Sequence, residues 1–122
     1  MTVGLAAGAA SGFLSGYDNY YIQLHTADPG AAGTTAIAGN ATRKQISLGS
    51  PSAGAVSNDT AIDWSSGEVD TSEDYTHWSL WSLSSGGTFV WSGTMTANAV
   101  TSGDTFSIPI GDLDLAFSPI AA

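Results

Sequence analysis

Two histidines, eleven carboxylates, two cations and four tryptophans are the residues of this 122-residue chain that could do chemistry. His25 and His77 sit in the apolar runs YYIQLHT (Tyr20 to Thr26) and YTHWSLW (Tyr75 to Trp81), which read as strands. Pairing of those strands would bring the two rings together and suggest a metal. No third ligand is signposted, so hydrogen-bonded strand histidines are the preferred reading. A hydrolase triad needs a nucleophile, a base and a supporting carboxylate, and none of the many serines sits in a nucleophile elbow. Asp112 with Asp114, and the cluster Glu68, Asp70, Glu73 and Asp74, could serve glycoside cleavage or hold Ca²⁺. Alternation points Asp112 and Asp114 away from the face of Leu113 and Leu115, and no EF-hand spacing is present. Solvated carboxylates are preferred, with Ca²⁺ as the remaining option and no other cofactor expected.

Arg43 and Lys44 are adjacent, so on a strand they point to opposite faces, and Arg43 is the candidate anchor for an ion pair. The tryptophans could build a sugar-binding platform. Trp78 and Trp81, however, fall on opposed faces of one strand, and aromatic rings dominate the interiors of small β-domains. They are therefore assigned to the core or to a subunit interface.

The elements that must position these residues are short and β-rich. Tyr75 to Trp91 reads as a hairpin turned by Ser84-Ser85-Gly86-Gly87, with Gly86 and Gly87 as turn formers because tight hairpins need positive φ. Its first arm is apolar on both faces, Trp78 and Leu80 against Trp81 and Leu83, which predicts a central strand. Tyr20, Ile22 and Leu24 share one face of a first strand, which Asp28, Pro29 and Gly30 turn. Further strands are predicted over Thr42 to Leu48 and Thr60 to Trp64, the latter burying Ile62 and Trp64. Gly49 to Ser57 reads as a loop. The arm holding Phe89 and Trp91 runs on toward Asn98, and Phe106, Ile108 and Ile110 alternate up to Pro109, which predicts an edge or a bulge there. Leu113, Leu115 and Phe117 form the last set. Residues 3–14 could form a short helix capped by Thr2, weakened by Gly4, Gly8 and Gly12. The expectation is a mostly β protein: an antiparallel β-sandwich, jelly-roll or Ig-like, of about seven short strands with a short N-terminal helix. Residues 1–17 would be a helical assembly segment and 18–122 the β-sandwich domain.

Composition excludes several classes of function. A net charge of −9, with Lys and Arg totalling 2, leaves no cations to neutralise phosphates, so neither nucleic acid nor an anionic membrane surface is an expected partner. There is no cysteine for a disulfide or a thiolate metal site. No apolar run approaches a membrane span. The opening MTVGLAAGAASGFLSG lacks the basic residues that precede the apolar part of a secretory leader.

Three pieces carry a resemblance: YIQLHTADPGAAGT (Tyr21 to Thr34) with Arg43 downstream, YTHWSLWSLSSGGTFVWSGTMT (Tyr75 to Thr96), and SGDTFSIPIGDLDLAF (Ser102 to Phe117). In this order they resemble a family of small structural proteins of tailed bacteriophages, labelled tail-fibre or minor tail proteins. The resemblance implies a non-enzymatic virion component, on the tail or decorating the head, that works by assembly. It further implies other virion proteins as partners, self-association into a homo-oligomer, and a place on the phage particle surface after synthesis in the host cytoplasm. No catalytic residue carries over. In that reading Trp78, Trp81, Phe89 and Trp91 fill the core or an interface, while Phe106, Ile108, Leu113 and Leu115 close the sandwich. A carbohydrate-binding, receptor-binding module is the alternative, motivated by the tryptophans and the acidic loops.

Overall fold

A computed structural model describes residues 14–52 and 55–116. Among these residues the protein is mostly β, with antiparallel pairing in every strand pair that has a defined register. The expected N-terminal helix lies outside the described residues apart from its last position, Leu14, which is fully buried. No helix among the described residues is long and apolar enough to cross a membrane. The strands are β1 (Tyr21–His25), β2 (Lys44–Gln45), β3 (Ala55–Ser57), β4 (Ile62–Trp64), β5 (Glu73–Trp81), β6 (Phe89–Val100), β7 (Phe106–Ile108) and β8 (Asp114–Ala116). They form a four-stranded sheet ordered β2-β1-β5-β6 and two ribbons, β3-β8 and β4-β7. The chain divides into two compact units, each gathered from separated segments: residues 20–45 with 62–107, and residues 1–19 with 46–61 and 108–122.

The first of these units holds the four-stranded sheet. β5 is its spine, flanked by β1 and β6, as an arm apolar on both faces requires. In the β1–β5 ladder Tyr21 faces Trp81, Ile22 faces Leu80, Gln23 faces Ser79, Leu24 faces Trp78 and His25 faces His77. Side chains alternate between faces, so Ile22, Leu24, Trp78 and Leu80 share one face, and Gln23, His25, Ser79 and Trp81 share the other. All eight are buried. Gly93 lies opposite Trp78, and a Cβ there would sit 2.7 Å from the indole, so the ring needs the glycine. Elsewhere in the unit Phe106 packs between Trp64 and Tyr75, with ring centroids 5.6 Å and 5.0 Å away. β6 runs through to Val100, past the expected end of its arm.

The other unit is built around β3 and β8, in which Ala55 faces Ala116, Val56 faces Leu115 and Ser57 faces Asp114. Its buried side chains include Leu14, Ile46, Leu48, Val56, Ile108, Leu113 and Leu115. Asn58, only 2 % exposed, is the hub. Its amide donates to the carbonyls of Thr60 (2.9 Å) and Pro109 (3.0 Å), and its Oδ1 accepts from the N–H groups of Gly111 (3.1 Å) and Leu113 (3.0 Å). One side chain thereby ties two turns together, satisfying backbone groups that no strand ladder reaches.

Several expected boundaries move. Within the segment expected to be a loop, β3 forms because β8 pairs with it. The strand expected over Thr42 to Leu48 shrinks to Lys44–Gln45, and Leu48 instead bridges Asn58. Ile110 falls past the end of β7 and is 64 % exposed, because the chain turns at Pro109 to Asp112. Leu83 is in the hairpin loop and 55 % exposed, not on the second face of β5. Phe117 lies outside the described residues.

Candidate functional site

The polar face of the sheet collects most of the residues with chemical potential. His25 and His77 are direct cross-strand partners, but their rings look to different groups. His77 Nδ1 is 2.8 Å from Thr76 Oγ1. His25 Nδ1 is 2.9 Å from the carbonyl of Thr35, which can only accept, so Nδ1 carries the hydrogen. Nε2 is then the acceptor for the hydroxyl of Ser79 at 2.7 Å, and Ser79 Oγ in turn accepts from Trp81 Nε1 at 2.7 Å. Trp81, Ser79, His25 and Thr35 thus form one directed chain of hydrogen bonds. Burial holds the His25 imidazole below its ordinary pKa, and nearby His77 and Arg43 push in the same direction.

A serine hydroxyl on a histidine whose other nitrogen meets an acceptor has the outline of a nucleophile and base. Here it cannot reach a substrate. Ser79 and His25 are both 0 % exposed, and Ser79 already accepts from an indole. The arrangement is a buried latch between β1, β5 and the segment after β1. That segment is held further by Thr26 donating to Ala36 O (3.0 Å) and Ala38 donating to Leu24 O (3.0 Å). Glu73 adds a clasp, accepting from the N–H groups of Gly39 (2.8 Å) and Asn40 (3.1 Å).

Arg43, expected to anchor an ion pair, does something else. Its Nη1 donates to the carbonyls of Leu83 (2.9 Å) and Gly86 (2.7 Å), its Nε to Gln23 Oε1 (3.3 Å), and its guanidinium lies 4.2 Å from the centre of a Trp81 ring. The planar fork suits carbonyl groups and an aromatic face better than an ammonium would. Its effect is to pin the β5–β6 loop. The described ion pair belongs instead to Lys44, 2.7 Å from Glu68, whose carboxyl that contact holds below the usual range.

The turn residues sit as follows. Gly30 has φ of 77° and donates to Asp28 Oδ1 at 2.9 Å, Pro29 O accepts from Thr35, and Gly86 and Gly87 have φ of 64° and 79°. Of the residues assigned to core or interface, Ile22, Leu24, Trp64, Trp78, Leu80, Trp81, Phe106, Ile108, Leu113 and Leu115 are buried, whereas Tyr20, Phe89 and Trp91 are half-buried. Among the described residues Trp64, Trp78 and Trp81 are at 7 % exposure or less, so these three rings offer no open face on which a sugar could stack.

The carboxylates are largely committed to neighbouring groups. Asp114 accepts from Ser57, Asp63 from Ser107 and Asp70 from Thr71, while Glu68 also receives the N–H of Ser65. Among the described residues no three His, Asp or Glu side chains come together as a metal site would need. An open cleft of about 380 Å³ is lined by Lys44, Asp63, Trp64, Glu68, Phe106 and Ser107, among others. Its charged side chains face each other or a hydroxyl, and the Trp64 indole donates to Thr42 O at 2.9 Å.

Of the polar residues that organise the two units, Gln23, Ser79 and Asn58 were not singled out from the sequence, and Glu73 was read only as one of an acidic cluster, not as the acceptor for the N–H groups of Gly39 and Asn40. Only the period-two placing of Ser79 between His77 and Trp81 could have flagged one of them.

Comparison with known families gives the class: a phage structural protein of the fibre type. The chain belongs to the family described as Podophage GP4 fiber I protein gp80, whose model matches residues 15–116. No curated protein matches it.

Proposed function

We propose that this chain is a non-enzymatic structural subunit of a tailed-phage virion, part of or attached to a fibre at the particle surface, and that it works by binding other virion proteins. The observation that carries this reading is the family match across residues 15–116. The internal engagement of Ser79, His25 and Arg43 supports it, because a scaffold needs rigid loops and has no use for an accessible nucleophile. Mass spectrometry of purified virions, with antibody labelling seen by electron microscopy, tests it. The expected result is the intact chain in the particle, labelled at the tail. A chain confined to the infected-cell lysate and absent from particles would sink the reading, and labelling over the head would replace the fibre role with decoration. Glycan arrays separate it from the receptor-binding alternative: a specific sugar hit would favour that alternative.

A further inference from the structure

The two edges of the four-stranded sheet are built differently. β2, at one edge, is two residues long and carries Lys44, a short charged edge of the kind that discourages pairing with other chains. β6, at the other, is twelve residues long and mostly exposed beyond Trp91, and no described strand pairs with its outer side. It lies within the longest uncharged run of the sequence, Tyr75 to Gly103, which has no Asp, Glu, Lys or Arg. We propose that the β6 edge is a self-association surface, on which a second copy of this chain adds its own β6 antiparallel about a two-fold axis. The proposal deepens the assembly reading above and rests on it.

Charge selects the occupant. Two molecules of net charge −9 repel, and repulsion is least where neither presents a carboxylate. A basic partner would be drawn to the acidic loops instead. An antiparallel two-fold pairing makes the patch self-complementary, as an interface between identical copies must be. Bulges limit its length: Met95, Thr96 and Ala97 together face the single residue Thr76, and Val90 is extra between the Trp91 and Phe89 pairs. Bulges bend an edge and interrupt its ladder, so the contact centres on the regular stretch between them, at Ser92, Gly93 and Thr94. Ser92 and Thr94 are exposed and small, and hydroxyl side chains pair well across antiparallel strands.

The test is sedimentation velocity and light scattering on the purified chain across a concentration series, with hydrogen exchange read at the β6 amides. The expected result is mass rising from monomer to dimer, with Ser92–Thr94 amides slowing as concentration rises. The double variant Ser92→Glu/Thr94→Glu sets like charges against each other across the two-fold and should weaken association at least about tenfold. Ser84→Glu, the same charge placed in the hairpin loop, should leave it unchanged. A chain that stays monomeric at its solubility limit, or a folded double variant that associates like the parent, overturns the proposal. Should the double variant fail to fold, the concentration dependence of exchange in the parent decides. A monomer found in virions would overturn the pairing and leave the structural role standing; an associating chain absent from virions would do the reverse.

Discussion

The two faces of the β1–β5 ladder are built on opposite principles. On one, Ile22, Leu24, Trp78 and Leu80 are buried by apolar contact alone, a non-directional attraction that tolerates some shape change. On the other, Gln23, His25, Ser79 and Trp81 are equally buried, but each polar atom must find its partner, and the partners are loop carbonyls, a hydroxyl and a guanidinium. The difference shows where stability resides and where shape is specified. Hydrophobic area holds the sheet together; the polar face decides which loop lies where, because a buried polar group without its partner costs more than the bond itself contributes.

Breaking the apolar face should therefore cost the most. Trp78→Ala removes a ring that fills the space above Gly93 and should lower unfolding free energy by about 3–5 kcal/mol, read from denaturant midpoints. On the polar face Ser79→Ala leaves both His25 Nε2 and Trp81 Nε1 buried without the hydroxyl. The expected loss is about 1–3 kcal/mol, with a shift of the Trp81 indole proton resonance as the local signature. Arg43→Lys keeps the charge but gives up the fork and the stack. About 1 kcal/mol is expected, together with faster proteolysis or hydrogen exchange in the Ser82–Thr88 loop.

Acid should act on the polar face first. The folded-state pKa of His25 lies below its ordinary 6.5, so as pH drops through about 6.5 the unfolded chain takes up a proton that the folded chain refuses. Stability is thus fully present above that pH and declines below it until the folded value is reached. A His25 ring that titrates below the ordinary imidazole value of 6.5 by NMR, beside a falling denaturant midpoint, would bear this out; a ring that titrates above that value would contradict it. The smallest effect belongs to neither face: Leu83→Ser, at an exposed loop position, should change stability by no more than about 0.5 kcal/mol.

The apolar half of this comparison was legible in the sequence. Alternation placed Ile22 with Leu24 and Trp78 with Leu80, and the Gly86-Gly87 pair announced the hairpin, because both signals are local. The polar half was not. The carbonyls that Arg43 binds lie 40 and 43 residues further along, and nothing in a guanidinium marks it for carbonyls over carboxylates. β3 was invisible for a related reason: Ala55-Val56-Ser57 has little strand character until Ala116, Leu115 and Asp114 come alongside. Asn58 falls between the expected loop and strand with nothing local to mark it, since its role depends on where Pro109, Gly111 and Leu113 turn.

The contrast in sequence distance bears on how the molecule reaches its native state. β5 and β6 are neighbours in the chain, joined by a short loop, so that hairpin can close early and locally. β1 must wait for a strand far downstream: His25 and Ser79 are separated by 54 positions. High contact order of this kind slows folding, because loop-closure entropy is spent before the long-range ladder rewards it. A nascent chain will therefore carry an early hairpin, free of charge from Tyr75 to Gly103, while the strand that completes its inner side is still searching. The uncharged edge proposed above for self-association is, during synthesis, the surface most exposed to premature pairing.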